Sequence, residues 1–469
     1  MTSTATAVPW AGPVDLPLAG ERDVQAACGL MHVHGRRFGR PTALGLDYAS
    51  ILASELAGIG ALALDVARLR GVPLRAVSTS VAQAALLAVS QYLAAATAPD
   101  VGLTLPEPAG GAGGGPPFVS SDGVAFELEA LDAEVWRRFW TALHAEPRAV
   151  ARVWRPFQQR FATATCPLPR ELTGLTARSP IARLEQVAAT TGITLVRVAN
   201  RAVDDLPPYR VRPLGPAAPA VGVAPHHGVL PLSGLVVVES CRRVQGPLAG
   251  HLLWQLGASV VRVEPPGGDP LRGVPPMAGD VSARFHALNR GKRVVEVDLA
   301  TVAGRRELLE LVSGADVFLH NWAPGKDADW ALRPRDVARA RPGIVYAHAS
   351  GWGDELGARP PLGTDYVVQA HAGVPPSLMT IVDVFGGVVC AGGVVDAVAR
   401  RIRSGVGQSV ASSLLSAASR LNARATGRCA APLSVPVCAD LAELGRDERF
   451  SRALTRDGCV VPTGVWEFR

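Results

Sequence analysis

Residues 232–273 read LSGLVVVESCRRVQGPLAGHLLWQLGASVVRVEPPGGDPLRG, and their interpretation decides the fold. Residues 235–239 form a short, β-branched apolar run of the kind that makes a buried strand. Pro247 suits the first turn of a helix, where a missing N–H costs nothing. Ala249, Leu252, Leu253 and Leu256 then fall on one helical face. Gly257 ends that helix, and residues 259–263 make a second strand. Strand, helix and strand joined by short links form a βαβ unit, which requires a parallel sheet. Ligands of such sheets sit beyond the carboxyl ends of the strands, so residues 244–246 and 264–269 flank a binding mouth.

The same alternation continues downstream. Strands are expected at 294–297, 315–319 and 344–349, the last two ending in HNWAPG and SGWGD, with helices at 304–313 and 334–341. This is a doubly wound α/β pattern. Upstream, residues 1–20 read as a disordered lead-in. Asp47 precedes a long small-residue helix that Gly71 can cap, and residues 80–96 form a second apolar helix. A glycine-rich stretch at 106–117 precedes a hairpin at 118–128 and an amphipathic helix at 132–143, whose Trp136, Phe139 and Trp140 belong to a core. The expected architecture is a Rossmann-like parallel-sheet domain at 229–425 with a smaller α+β domain within 21–203. A proline-rich linker at 204–228 joins them, and 426–469 closes the chain.

Composition narrows the function. The 469 residues carry a formal net charge of +6, which suits anionic small molecules. No Lys/Arg block interleaved with aromatics points to nucleic acid. Seven cysteines without a C-x-x-C motif fit a reducing cytoplasm. The N-terminus lacks a basic start and an apolar core, so it does not read as a signal peptide. The apolar stretch 81–98 contains Gln83, Ser90 and Gln91 and reads as a buried helix rather than a membrane span. His226-His227 has no further ligands in sight, so no metal is expected.

One segment occurs twice. Val24-Gln25-Ala26-Ala27-Cys28-Gly29 parallels Val368-Gln369-Ala370-His371-Ala372-Gly373. Asp47 and its helix parallel Asp383 and a helix ending at Ser404-Gly405, and Val/Ser segments at 76–81 and 408–413 follow. Taken alone, an aspartate before a helix is an N-cap.

Together these motifs resemble the class III CoA-transferase family (CaiB–BaiF). Residues 230–405 are similar to its N-terminal part through SGLVVVES, VQGPLAG, LGASVVRVEPPGGDPLR, NRGKRVVEVDL, ADVFLHNWAPG, SGWGD and VDVFGG. Residues 21–200 resemble its later part, through the aspartate-helix segment, GGAGGG and SDGVAFELEALDAEVWRRFW, so the order is rearranged. The resemblance implies the CoA-transferase family III fold, often built as interlocked dimers, so a homodimer is expected. It also implies acyl-CoA and a carboxylic acid as substrates, with no permanently bound cofactor. The family's nucleophilic aspartate matches Asp383 and, in the other copy, Asp47. That carboxylate would attack the thioester to give a mixed anhydride, which the CoA thiolate then attacks. CoA contacts carried over are Val244, Gln245, Asn321 and Trp322, with Glu264 and Arg272 at the mouth of the second strand. Gly386 and Gly387 would let a ligand approach the backbone, and Gly113 and Gly114 lie in a stretch that resembles the family's glycine loop, which the resemblance implies would cover the site.

Three alternatives compete. A racemase or isomerase of the same fold would need a base such as His371 or His348. Gly363-Thr364-Asp365 has threonine where racemases carry histidine, which counts against it. A catalytically degenerate acyl-CoA-binding paralogue is the second. A NAD-dependent oxidoreductase would use Glu264 on ribose, but G-x-G-x-x-G is missing.

Overall fold

The computed structural model describes residues 8–100, 115–217, 229–425 and 432–469. Gly113, Gly114 and His226-His227 lie outside the described residues. The chain opens with α1 (Glu21–Ala27), α2 (Tyr48–Leu69) and α3 (Val81–Ala96). The Ser80 side chain caps α3 by accepting the Gln83 N–H at 3.2 Å. Three short strands follow, β1 (Phe118–Val119), β2 (Ala125–Glu129) and β3 (Thr194–Arg197), forming an antiparallel sheet in the order β1-β2-β3. Trp136, Phe139 and Trp140 are fully buried on the helix Ala133–Ala142, and Trp140 lies 6.1 Å from the Phe118 ring.

The larger sheet contains β4 (Tyr209–Ala217) and β5 (Val236–Ser240), then α4 (Gln245–Gln255) and β6 (Ser259–Glu264). It is completed by β7 (Arg293–Glu296), β8 (Val317–His320) and β9 (Val345–Ser350), then helices α5 (Asp365–Ala372) and α6 (Ile381–Ser404), and finally β10 (Val406–Ser413). Its order is β7-β6-β5-β8-β9-β10-β4, parallel throughout except for β4, which runs antiparallel to β10. The chain steps outward from β5 to β7, then returns to β8 and steps the other way. The switch point therefore lies between β5 and β8, where doubly wound sheets open a crevice.

A buried ion network fixes that end of the sheet. Arg262, 1% exposed, donates to Glu239 at 2.6 Å, to Glu264 at 2.9 Å and to Asp269 at 2.6 Å. Lys292 adds a 2.8 Å contact to Glu239, and burial pushes its ammonium down to about 8. Charges this deep persist only with every partner in place.

Three boundaries differ from the sequence expectation. Residues 8–20 pack rather than trail, with Val14 and Leu18 buried and Pro9 and Trp10 accepting from Val81 and Ala82. Part of the 204–228 stretch is strand β4, because its residues pair with β10 along the sheet edge; it is not wholly a linker. Finally, α2 packs on α6, and residues from 21–96, from the small sheet and from the large sheet share one continuous core.

Helix α6 is enclosed by α2, α4 and β10. Both α2 and α6 are long and apolar enough to cross a bilayer, a composition that their core positions also require. Gly386 and Gly387 serve this packing. A Cβ on Gly387 would fall 2.7 Å from the Gln245 carbonyl oxygen, and one on Gly386 3.1 Å from the Gln245 side chain. What these glycines admit in this structure is the close approach of α4. Gly387→Ala gains about 1 kcal/mol of helix propensity but forces backbone apart at a cost of about 1–3 kcal/mol. Urea denaturation is expected to show a net loss of stability, larger than that for Gly386→Ala, where a flexible side chain can yield.

Candidate active site

The loop after β5 begins the site. Asn321, just past β8, grips it from both sides, accepting the Arg242 N–H at 2.9 Å and donating to the Arg242 carbonyl at 2.8 Å. Arg243 is thereby held at φ 67°, a left-handed conformation costly for a non-glycine residue. The crevice beyond is lined by Arg243, Val244, Asp365, Asp383, Glu129 and Arg160, among others. The last two come from the small-sheet side. Glu129 ends β2, pairs with the buried Arg160 at 3.0 Å and accepts a hydrogen bond from the Thr364 hydroxyl.

At the centre is a carboxylate pair. Asp365 is the first residue of α5 and is 2% exposed. Its carboxylate accepts the Asp383 N–H at 2.7 Å, the Val382 N–H and the Gln369 side-chain amide. The two backbone donors are unpaired amides of the first turn of the 24-residue α6, an anion-favouring position. Burial, and then the charge of Asp383, push Asp365 well above the ordinary carboxyl range against these donors. Burial also pushes Asp383 up to about 7; Arg243 opposes the shift and Glu129 adds to it. Two carboxyls this close resist double ionisation. Protonation of Asp383 removes the second of the two causes that raise Asp365, while burial continues to raise it against the three donors.

Of the sequence candidates, Asp383 and Val244 line this crevice. Gln245 is buried beside it, its amide 3.4 Å from the Ser350 carbonyl. Glu264 is 1% exposed and spends its oxygens on Arg262, Arg272 and the Asp269 N–H. Arg272 is drawn into that contact and lies 4.6 Å from the Phe285 ring centroid. Trp322 donates to Ser240 at 2.9 Å and packs 4.3 Å from His320, so Asn321 and Trp322 shape the loop that presents Arg243. Asp47 is elsewhere, in a cavity with Glu21, Gln25 and His34.

The register of the repeated segment explains the displacement of Asp47. Asp47 and Thr380 are the N-caps of α2 and α6, with φ,ψ of −78°, 56° and −78°, 60°. Asp47 thus occupies the place of Thr380, and Ser50 that of Asp383. Glu21 corresponds to Asp365: it accepts the N–H groups of Ala49 at 2.9 Å and Ser50 at 2.8 Å, and the Gln25 amide at 2.8 Å. The sequence reading passed over Asp365, Glu129, Arg160 and Arg243. A carboxylate four residues before the glutamine in both copies was the available signal for Asp365. Nothing local marks Glu129 or Arg160, which the small sheet brings in.

Comparisons with known proteins find similarity over the larger sheet. The sequence model for CoA-transferase family III matches residues 232–437, which include Arg243, Asp365 and Asp383 but neither Glu129 nor Arg160. The chain is 36% identical over 200 residues to a probable fatty acyl-CoA transferase of Mycobacterium tuberculosis, covering 38% of this chain and 49% of that protein. It is 32% identical over 193 residues to the acetyl-CoA:oxalate CoA-transferase of Acetobacter aceti, covering 38% and 50% respectively. A solved CaiB/BaiF family protein from Brucella suis is 32% identical over 40% of this chain and 55% of that one, with a TM-score of 0.38. The chain spans about half the length of the curated relatives it matches.

The raised Asp383 has a consequence for stability. The folded state holds its proton to higher pH than an unfolded carboxyl does. The resulting stabilisation is complete below about pH 4 and is lost as pH rises through about 7. Asp383→Asn removes this dependence. Its melting temperature relative to the parent is expected to increase from pH 4 to pH 8 by about 3 °C or more, measured by calorimetry.

Proposed function

We propose, for a chain whose residues 232–437 belong to CoA-transferase family III, that it moves coenzyme A between an acyl-CoA donor and a carboxylic acid. The observation that carries this reading is the pairing of Asp365 with Asp383 at the switch-point crevice beside Val244. In the proposed reaction a carboxylate oxygen of Asp365 attacks the thioester carbonyl, and CoA leaves as thiolate with the electron pair of the broken C–S bond. The product is a mixed anhydride. The thiolate then attacks the aspartyl carbonyl, giving an aspartyl-CoA thioester and releasing the first acid. An incoming carboxylate reverses both steps.

Division of labour within the pair follows from the donors. Burial raises both carboxyls, Asp365 well above the ordinary range and Asp383 to about 7, so the pair holds at least one proton at neutral pH, and Asp365 has three N–H donors suited to an anion. By the donor geometry, we assign Asp365 as the anion when it attacks and Asp383 as the partner that holds the proton, donating a hydrogen bond to the charge that develops on the leaving thiolate or the oxyanion. This reassigns the attacking group from Asp383 to Asp365. Coenzyme A would enter beyond the carboxyl ends of β5 and β8, with Val244 and Gln245 at its path.

A racemase reading receives less support. His348 stacks 4.5 Å from His320, and His371 packs 5.2 Å from Trp352. Neither lines the crevice with the aspartates.

Incubation with acyl-CoA followed by hydroxylamine trapping and peptide mapping tests the assignment. The adduct is expected on Asp365. Asp365→Asn is expected to lose transfer by about 10⁴-fold or more with no adduct. Asp383→Asn is expected to slow turnover by about 10²-fold while the adduct stays on Asp365. An adduct on Asp383 would reverse the roles.

A further inference from the structure

The Glu21 copy of the repeated segment opens onto a cavity of its own, about 530 Å³ in volume. That is within the range of about 300–1,000 Å³ typical of small-molecule sites. Its walls come from α1, the helix Leu30–Gly35, residues 42–47 before α2, and Pro375-Pro376 in the loop between α5 and α6. Glu21 has no chemistry to offer there, because its oxygens serve Gln25, Ala49 and Ser50, and Ser50 stands where the other copy has Asp383. The room is kept and the reacting pair is not.

His34 gives the cavity a directed donor. The side chain is 6% exposed, and burial pushes its imidazole down to about 4, so the ring is neutral. The Ser377 hydroxyl accepts the Met379 N–H at 3.1 Å and, among the described residues, finds its own acceptor only in His34 Nδ1 at 2.9 Å. Ser377 therefore donates to Nδ1, and Nε2 carries the ring proton, with no partner among the described residues. Asp47 and Arg22 add one charge of each sign to the same wall. A carboxylate and a guanidinium each take several hydrogen bonds, so both can hold a ligand beside the contacts they already make. A plain acid would face Asp47 and a plain amine Arg22, like against like; a zwitterion matches both. Phe38, half exposed, and Pro375-Pro376 supply an apolar side.

The same ring touches the catalytic copy. Ser377, beyond Pro376, donates its N–H to the Gln369 side-chain oxygen at 2.9 Å and accepts the Gln369 amide at 3.1 Å. That amide also donates to Asp365. A molecule seated on His34 and Pro375-Pro376 thus bears on the loop that holds a donor against the reacting carboxylate.

We infer that this cavity is a second, regulatory site for an α-amino acid with an apolar side chain, connected to Asp365 through His34, Ser377 and Gln369. The site goes beyond the transferase reading; only its effect on rate rests on that reading.

The test uses the full chain and three probes: L-leucine, 4-methylpentanoate, which lacks the ammonium, and 3-methylbutylamine, which lacks the carboxylate. In calorimetric titration without CoA, L-leucine is expected to bind about tenfold or more tightly than either analogue, the worth of one charge-assisted hydrogen bond. Asp47→Asn is expected to weaken that binding by about tenfold and to leave transfer without L-leucine unchanged. Phe38→Ala, at an exposed side chain, is expected to weaken it too. Saturating L-leucine is expected to raise transfer about fivefold, by fastening the Gln369 amide on the attacking anion. Equal binding of L-leucine and 4-methylpentanoate, or no binding of any probe, overturns the inference. Binding that survives both substitutions places the ligand elsewhere and also overturns it. Binding that leaves a measurable transfer rate unchanged overturns the connection to Asp365. Selective L-leucine binding, lost in Asp47→Asn, by a chain that transfers to no acid would sustain the site and overturn the transferase reading.

Discussion

Everything at the site depends on one carboxylate seated on one helix start. Asp365 accepts the first-turn amides of α6, so the anion and the 24-residue helix hold each other in place. The helix in turn is the central beam of the core, packed by α2, α4 and β10. The carboxylate is therefore rigid without being covalently constrained, and its orientation is set by backbone that cannot easily move. The proximity of Asp383 follows from the same geometry, because the residue that supplies the amide also supplies the second carboxyl.

The surroundings divide the remaining work. The ion network around Arg262 fixes the ends of β5 and β6, and the Asn321 clamp presents Arg243. Across the crevice, Glu129 and Arg160 tie the small sheet to the cap of α5 through Thr364. Charge at the site is thus balanced by pairs reaching in from both bodies, while burial raises both Asp365 and Asp383. The Glu21 segment shows the same amide-and-glutamine clamp with Ser50 where Asp383 would be. It keeps the carboxylate and lacks the partner.

Much of this was readable from the chain itself. The run of valines at 236–238, Gly257 and the second strand dictate a βαβ unit by periodicity alone, and Val244 follows at its mouth. What stayed hidden depended on contacts distant in sequence. Glu264 looked like a ribose acid because its saturation by Arg262 and Arg272 is invisible without the fold. Gly386 and Gly387 looked permissive to a ligand because the approach of α4 is not encoded near them. Asp47 misled by its place before a helix: counting from the cap, rather than from the nearest aspartate, puts it opposite Thr380. β4 escaped notice because its prolines and glycine are tolerated at a sheet edge.

A crystal structure of Asp365→Asn with an acyl-CoA bound tests the central claim most directly. The account predicts the thioester carbonyl carbon about 3–3.5 Å from the side chain at position 365, with the nucleotide beyond β5 and β8. An acyl-CoA seated instead in the cavity beside Glu21 and Asp47, or with its thioester far from the α6 amides, would contradict it.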